Sequence, residues 1–132
     1  YPEENPLPSS LMKIIERIKS LDIMDGCAPN EANAISYRKN KGDYLRSHVD
    51  DRQLSKEPIA NLSLGGDCLM KFQLEKEKTS NYPKLKKVLL RRRTLQILTK
   101  SARYDYSHGI ENNDLLTERR ISITMRESPL TK

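Results

Sequence analysis

The sequence predicts a mainly β domain, a sandwich or barrel of short strands preceded by one helix. Three observations predict it. From residue 33 onward apolar and polar residues alternate in short runs, the pattern of half-buried strands. Turn-forming residues punctuate those runs, notably Pro58, the pair Gly65 and Gly66, and Pro83. One stretch repeats at helical spacing instead: Leu11, Ile14, Ile15, Ile18 and Leu21 are apolar, with Lys13, Glu16, Arg17 and Lys19 between them.

Taken in order, residues 1–10 are rich in Pro and Ser and read as an irregular lead-in, with Ser9 or Ser10 placed to cap the helix. Residues 11–132 read as a single domain. Asp25 with Gly26, then Pro29 with Asn30, mark the end of the helix and a turn. Strands are expected over 34–37, 44–50, 58–64 and 68–73. A Lys- and Glu-rich hairpin loop is expected over 74–86, around Asn81, Tyr82 and Pro83. Further strands are expected over 88–92 and 94–99. The segment 104–110 brings in a histidine, 111–118 is a loop, and 120–126 is the last strand. No internal repeat is evident.

A chain of 132 residues buries one core, not two. Hydrophobic residues make up 36% and charged residues 32%, with no Trp and one Phe, so the core is modest. Cys27 and Cys68 are too few and too far apart for a disulfide framework or a zinc cluster, and read as free buried thiols of a reducing compartment. The sequence carries no signal-peptide pattern and no apolar run long enough to span a membrane. A monomer in the cytoplasm and/or nucleus, without membrane contact, is the expectation. Nothing here supports a nucleophilic triad, because Ser63, Ser107 and Cys68 lack a spare His, and no G-K-[ST] follows Gly65 and Gly66 to make a phosphate loop.

The net charge is +6, and much of it lies in Lys84, Lys86, Lys87, Arg91, Arg92 and Arg93. Such a cluster neutralises phosphates and attracts nucleic acid. It equally describes a solvated loop and an edge strand blunted by charge, and aromatics for base stacking are not interleaved with it.

The chemistry-bearing residues are spread from residue 48 to residue 126. His48 and Asp50 are two apart in an extended segment and point to the same side. His108 is the one other histidine. Two imidazoles and a carboxylate form the facial triad of non-haem Fe(II) oxygenases, which leaves coordination positions open. Arg120, Ser122, Thr124 and Arg126 then share one strand face, a source of fixed cations for an anionic co-substrate. The bland reading of each piece is a structural His and a solvated edge-strand Arg.

In this arrangement the sequence resembles an AlkB-type Fe(II)/2-oxoglutarate dioxygenase. The resemblance rests on Tyr37, Gly42, His48, Asp50, the stretches 59–64 and 93–99, Ala102, Arg103, Tyr104, His108 and the run 120–126. It covers about residues 30–128 and follows the family order of H-x-D, a distant His, then R-x5-R. The doubled Asp50 and Asp51, and the long spacing from Tyr37 to His48, look most like the homologue-four branch. Where many members have N-x-Y, this chain has Ile35, Ser36 and Tyr37, so one polar contact to the co-substrate is replaced by Ile35. Relatives carry more sequence before H-x-D than the 47 residues here, and the chain begins with Tyr1, so an N-terminally incomplete domain is expected.

The resemblance implies a double-stranded β-helix, a jelly-roll whose wide mouth holds the metal. It implies Fe(II) on His48, Asp50 and His108, with O2 and 2-oxoglutarate as co-substrates. The far carboxylate of 2-oxoglutarate would pair with Arg120, assisted by Tyr37 and Ser122. Arg126 lies ~20 Å further along an ideal strand and would brace Asp50 rather than duplicate Arg120. Asp51 is read as structural. The implied activity is oxidative demethylation of a macromolecule, a methylated nucleic-acid base or a methylated protein lysine. A catalytically impaired remnant, and a basic nucleic-acid-binding module with structural histidines, are the alternatives.

Overall fold

The structure is a computed structural model and describes residues 6–50, 55–75 and 81–129. Helix α1 (Ser9–Lys19) starts from Pro8, not from a serine cap. Neither Ser9 nor Ser10 caps it, because both already lie inside the helix. Pro8, with φ fixed at −57°, occupies the boundary, and its carbonyl accepts from the Leu11 and Met12 amides at 3.1 and 3.0 Å. The helix stops at Lys19, and the Ser20 hydroxyl donates to the Arg17 carbonyl at 2.7 Å. Asp25 and Gly26, at φ 49° and 76°, close a separate 3-10 turn over Asp22–Met24.

Two four-stranded antiparallel sheets follow. The first has the order β1 (Glu31–Arg38), β8 (Arg119–Arg126), β3 (Ile59–Gly65), β6 (Leu95–Leu98). The second has the order β2 (Leu45–His48), β7 (Tyr106–Ile110), β4 (Cys68–Leu74), β5 (Leu85–Leu90). Strands next to each other in a sheet are mostly distant in sequence, so the chain winds between the two sheets. This is the jelly-roll arrangement.

Ile59, Cys68, Met70, Leu90, Leu98, Ile110 and Leu115 fill the space between the sheets. A second cluster lies outside the first sheet, where Ile15 and Ile18 of α1 pack with Met24, Cys27, Ala60 and Met125. Burying each such side chain contributes roughly 1.5–3 kcal/mol, which is why an amphipathic helix stays on this face. Both cysteines are free and buried. Among the described residues no helix is long and apolar enough to cross a membrane.

Several boundaries depart from expectation. The strand expected over 44–50 is only Leu45–His48, so Asp50 lies past its end. The strand expected over 88–92 instead runs Leu85–Leu90, because β4 pairs with the chain from Leu85 onward, lysines included. It ends where the Arg92 amide bonds to the Asp67 carboxylate at 2.8 Å and Arg93 takes φ 68°. Residues 76–80 of the expected hairpin loop lie outside the described residues. The segment before His108 begins with a short helix, α2 (Lys100–Tyr104), and β7 starts only at Tyr106.

Glycine matters most at Gly109. A Cβ there would lie 2.6 Å from the Ser47 hydroxyl and 2.8 Å from both the Leu45 carbonyl and the Ser47 amide. Only a bare α-carbon lets β2 close onto β7, and that closure sets His48 opposite His108. Gly109→Ala is expected to wedge the two strands apart and cost about 1–3 kcal/mol of overpacking. Chemical denaturation of the two proteins checks this, and equal midpoints would contradict it.

Candidate active site

The two sheets enclose a cavity of about 750 Å3. Its two ends have different chemistry. One end is built on the second sheet. His48 on β2 and His108 on β7 are direct cross-strand partners, with ring centroids 4.5 Å apart. Asp50 lies just beyond β2 and turns back on both. Its Oδ1 is 3.1 Å from His48 Nε2, and its Oδ2 is 3.9 Å from His108 Nε2. One potential ligand atom from each of the three lies within 4.8 Å of the others. The donor set of two imidazoles and one carboxylate suits Fe(II).

Local contacts orient each side chain. His48 Nδ1 sits 2.8 Å from the Arg46 carbonyl, leaving Nε2 for the centre. Arg126 places Nη2 3.6 Å from Asp50 Oδ2, and its Nη1 lies 4.0 Å from Glu31. Arg103, buried at 2% exposure, gathers the chain around the ligand turn. It donates from Nη1 to the Asp50 carbonyl at 2.8 Å, from Nη2 to the Ser55 hydroxyl at 3.1 Å, and from Nε to the Glu57 carbonyl at 3.2 Å. Residues 51–54, Asp51 among them, lie outside the described residues.

The ionisation states diverge. Burial pushes His108 down to about 4, helped by the neighbouring His48. His48 is raised, chiefly by its hydrogen bond to Asp50. Burial alone would raise Asp50, but the His48 hydrogen bond and the charges of His108 and Arg126 outweigh it and bring Asp50 to about 2. The centre therefore presents an ionised carboxylate and an imidazole that resists protonation, the forms a cation needs.

The other end is built on the first sheet. On its inner face Tyr37 stands opposite Arg120, Ile35 opposite Ser122, Asn33 opposite Thr124, and Glu31 opposite Arg126. Arg120 is 1% exposed, with its guanidinium carbon 5.5 Å from the Tyr37 ring centre. Its Nη2 donates to the Ser63 hydroxyl at 3.0 Å and to Asn61 Oδ1 at 3.3 Å. Its Nε and Nη1 are buried without a hydrogen-bond partner among the described residues. A guanidinium buried in this way demands an acceptor, and a carboxylate fits its planar fork. The Tyr37 hydroxyl faces Ser122 and Arg120, and burial raises its pKa against the opposing pull of Arg120. Ser122 is itself fully buried.

All seven residues singled out from the sequence thus lie in or directly behind this one cavity wall. Three others were missed. Asn61 and Ser63 sit at alternate, inward positions of an otherwise apolar strand, and that period-two polarity was a readable signal. Asn61 also donates to the Thr124 hydroxyl at 2.9 Å, tying Arg120 to the middle of the wall. Arg103 was visible only as a matching residue, since its contacts are with carbonyls and a hydroxyl remote in sequence.

Comparison with known proteins agrees with this geometry. Residues 2–126 match the 2OG-Fe(II) oxygenase superfamily, and the chain belongs to that superfamily, whose cofactors are Fe(II) and 2-oxoglutarate and whose members are oxidoreductases. More particularly it is AlkB-like. It is 29% identical over 130 residues to an uncharacterized protein of Acanthamoeba polyphaga mimivirus, covering 92% of this chain and 60% of that one. It is 28% identical over 144 residues to the Arabidopsis thaliana "Alkylated DNA repair protein ALKBH8 homolog", covering 92% and 42%. Among solved structures, OsALKBH1 superposes with a TM-score of 0.64 at 17% identity, over 92% of this chain and 64% of that one, and shares the fold. The last two carry homologue-eight and homologue-one names, and the homologue-four branch stays an expectation. The chain spans 60% or less of the lengths of the curated relatives it matches.

In the metal-free protein, His108 is expected to stay neutral to about pH 4 while His48 takes a proton above the ordinary histidine range. The unfolded chain protonates His108 near its ordinary 6.5, so this residue's contribution to stability falls as pH drops from 6.5 toward 4. The Asp50 contribution is present above 3.8 and is lost as pH falls through about 2. Ring resonances followed by NMR across pH check the order. A His108 that titrates before His48 on acidification would contradict it.

Proposed function

We propose that this chain is an Fe(II)- and 2-oxoglutarate-dependent dioxygenase that removes methyl groups oxidatively from a macromolecule, either a methylated nucleic-acid base or a methyl-lysine. One observation carries the reading. A single cavity has a compact His-Asp-His set at one end and a buried, partly unpartnered guanidinium at the other.

His48, Asp50 and His108 would hold Fe(II) and leave positions open. Arg120 would receive the far carboxylate of 2-oxoglutarate through Nε and Nη1, with Tyr37 and Ser122 beside it. Arg126 keeps Asp50 ionised and aimed, and Arg103 fixes the backbone from which Asp50 projects. The apolar side chains of Leu45, Ile59, Met70 and Leu98 line the same cavity and exclude water from its walls.

Bound iron and 2-oxoglutarate supply the oxidation: O2 delivers one oxygen atom to a substrate C–H bond and the other to succinate, with loss of CO2. Where the carbon is an N-methyl, the hydroxymethyl product releases formaldehyde and leaves an N–H. One relative is named for repair of alkylated DNA, which supports a methylated base as one candidate substrate. The buried, reduced thiols of Cys27 and Cys68 accord with an intracellular setting.

Anaerobic calorimetric titrations separate the roles. Asp50→Ala should abolish tight metal binding. Arg120→Ala should leave metal binding near wild type and weaken 2-oxoglutarate on the order of 100-fold, the usual scale for deleting one partner of a buried charge pair. Aerobic incubation with Fe(II), ascorbate and 2-oxoglutarate should then release formaldehyde from methylated DNA, RNA or methyl-lysine peptides. Normal metal binding by the His48→Ala, His108→Ala double variant would overturn the assignment. So would oxidation of free small molecules with no formaldehyde from any macromolecule.

A further inference from the structure

One cross-strand rung of the first sheet is polar on all four strands. The registers set Asn33 opposite Thr124, Thr124 opposite Asn61, and Asn61 opposite Gln96. All four side chains line the cavity. The neighbouring rungs are not built this way. The deeper one carries Ile35 beside Ser122, and the outer one carries Ile59 and Leu98. Polar groups taken from water cost stability unless they are paired, so the fold alone gains nothing from a complete polar rung.

The hydrogen bonds along this rung run in one direction. Arg120 Nη2 donates to Asn61 Oδ1 at 3.3 Å. A guanidinium donates and never accepts, so the Asn61 oxygen has to face it, and that settles which way round the carboxamide lies. The amide nitrogen is thereby turned to β8, where it donates to Thr124 Oγ1 at 2.9 Å. That bond occupies an acceptor site of the hydroxyl, and the hydroxyl proton must point elsewhere. Among the described residues no acceptor pairs with it. Each bond in such a chain polarises the next, and this chain starts from a buried cation.

Thr124 stands between the two ends of the cavity. Along β8 it lies between Arg126, which braces Asp50, and Arg120, whose side chain leans along the sheet far enough to reach Asn61 on the Thr124 rung. A dicarboxylate with its far end on Arg120 Nε and Nη1 therefore passes Thr124 on its way to His48, Asp50 and His108. The 2-oxoglutarate dianion carries acceptors only, and the Thr124 hydroxyl meets it with a donor. Gln96 has the opposite character. Its Oε1 is buried without a partner among the described residues, and a dianion has no proton to give it. The Gln96 oxygen thus repels the co-substrate from the β6 side of Asn61 and leaves it the Thr124 side.

We propose that Asn61 is a positioning residue that aims the Thr124 hydroxyl into the cavity, where it donates to the inner carboxylate of 2-oxoglutarate. This rests on the co-substrate reading of Arg120 above. Arg120 then contributes twice, directly at the far carboxylate and through Asn61 at the inner one.

The test is a double-mutant cycle on the full chain loaded with Mn(II), with 2-oxoglutarate binding followed by anaerobic calorimetry. Thr124→Val removes the hydroxyl at nearly constant shape and should weaken 2-oxoglutarate at least ~10-fold, the scale of a hydrogen bond to a charged group. Thr124→Ser keeps the hydroxyl and should bind like wild type. Asn61→Ala should weaken 2-oxoglutarate in the wild-type background and lose most of that effect beside Thr124→Val, because nothing is left to aim. Asn61→Asp keeps the shape but draws the Thr124 proton back to itself, and should show the same dependence on background. Equal losses from the Asn61 variants in both backgrounds would mean that Asn61 only props Arg120, and would overturn the proposal. So would a Thr124→Val protein that binds as tightly as wild type, or a Thr124→Ser protein that binds as weakly as Thr124→Val. Mn(II) affinity, measured before the co-substrate is added, should be alike in every variant. A wild-type chain that holds Mn(II) but not 2-oxoglutarate sinks the reading of Arg120. One that binds both, with Thr124→Val unaffected, sinks this inference alone.

Discussion

The pairing of β2 with β7 is the constraint on which the rest depends. It places His48 and His108 side by side, and it exists because Gly109 offers no side chain to the Leu45 carbonyl or the Ser47 amide. Asp50 then needs only a short reversal to reach both rings. That reversal is held from within by the Arg103 guanidinium on the Asp50 carbonyl and from the facing sheet by Arg126 on the carboxylate. Three elements distant in sequence thus converge on one carboxylate. An ion pair of this kind contributes little on a surface, but inside a covered cavity it fixes geometry.

The opposite end of the cavity works by incompleteness. A buried guanidinium is costly, and Arg120 is only partly compensated by Ser63, Asn61 and the Tyr37 ring. Two donors remain without acceptors among the described residues. An incoming carboxylate completes that set, so the cost already carried by the fold becomes affinity for an anion of the right length. The polar residues between the two ends, Asn33, Thr124 and Asn61, give the cavity a wall that a dicarboxylate can wet along its length.

Much of this was legible in the sequence, for identifiable reasons. Period-two alternation located the strands and put Arg120 with Ser122 and Arg126 on one face, whereas Asp50, expected on the same strand as His48, lies past the end of β2 and reaches the rings by a turn. Helical spacing found α1, though Pro8 rather than a serine sets its start. Lysines hid the first half of β5: Leu85 and Lys86 read as loop and Lys87 fell outside the expected strand, although all three pair with β4 and Lys87 bonds Asp114. Arg103 was illegible as a clamp because its partners are backbone carbonyls at Asp50 and Glu57, which no side-chain pattern records.

The most direct test of the central claim is X-ray absorption at the iron edge of the full chain loaded anaerobically with one Fe(II). Imidazole rings scatter at characteristic outer-shell distances, so bound histidines can be counted. The account predicts two imidazoles together with oxygen ligands, falling to one in either His48→Ala or His108→Ala. A spectrum with no imidazole contribution, or one unaltered by either substitution, would contradict it.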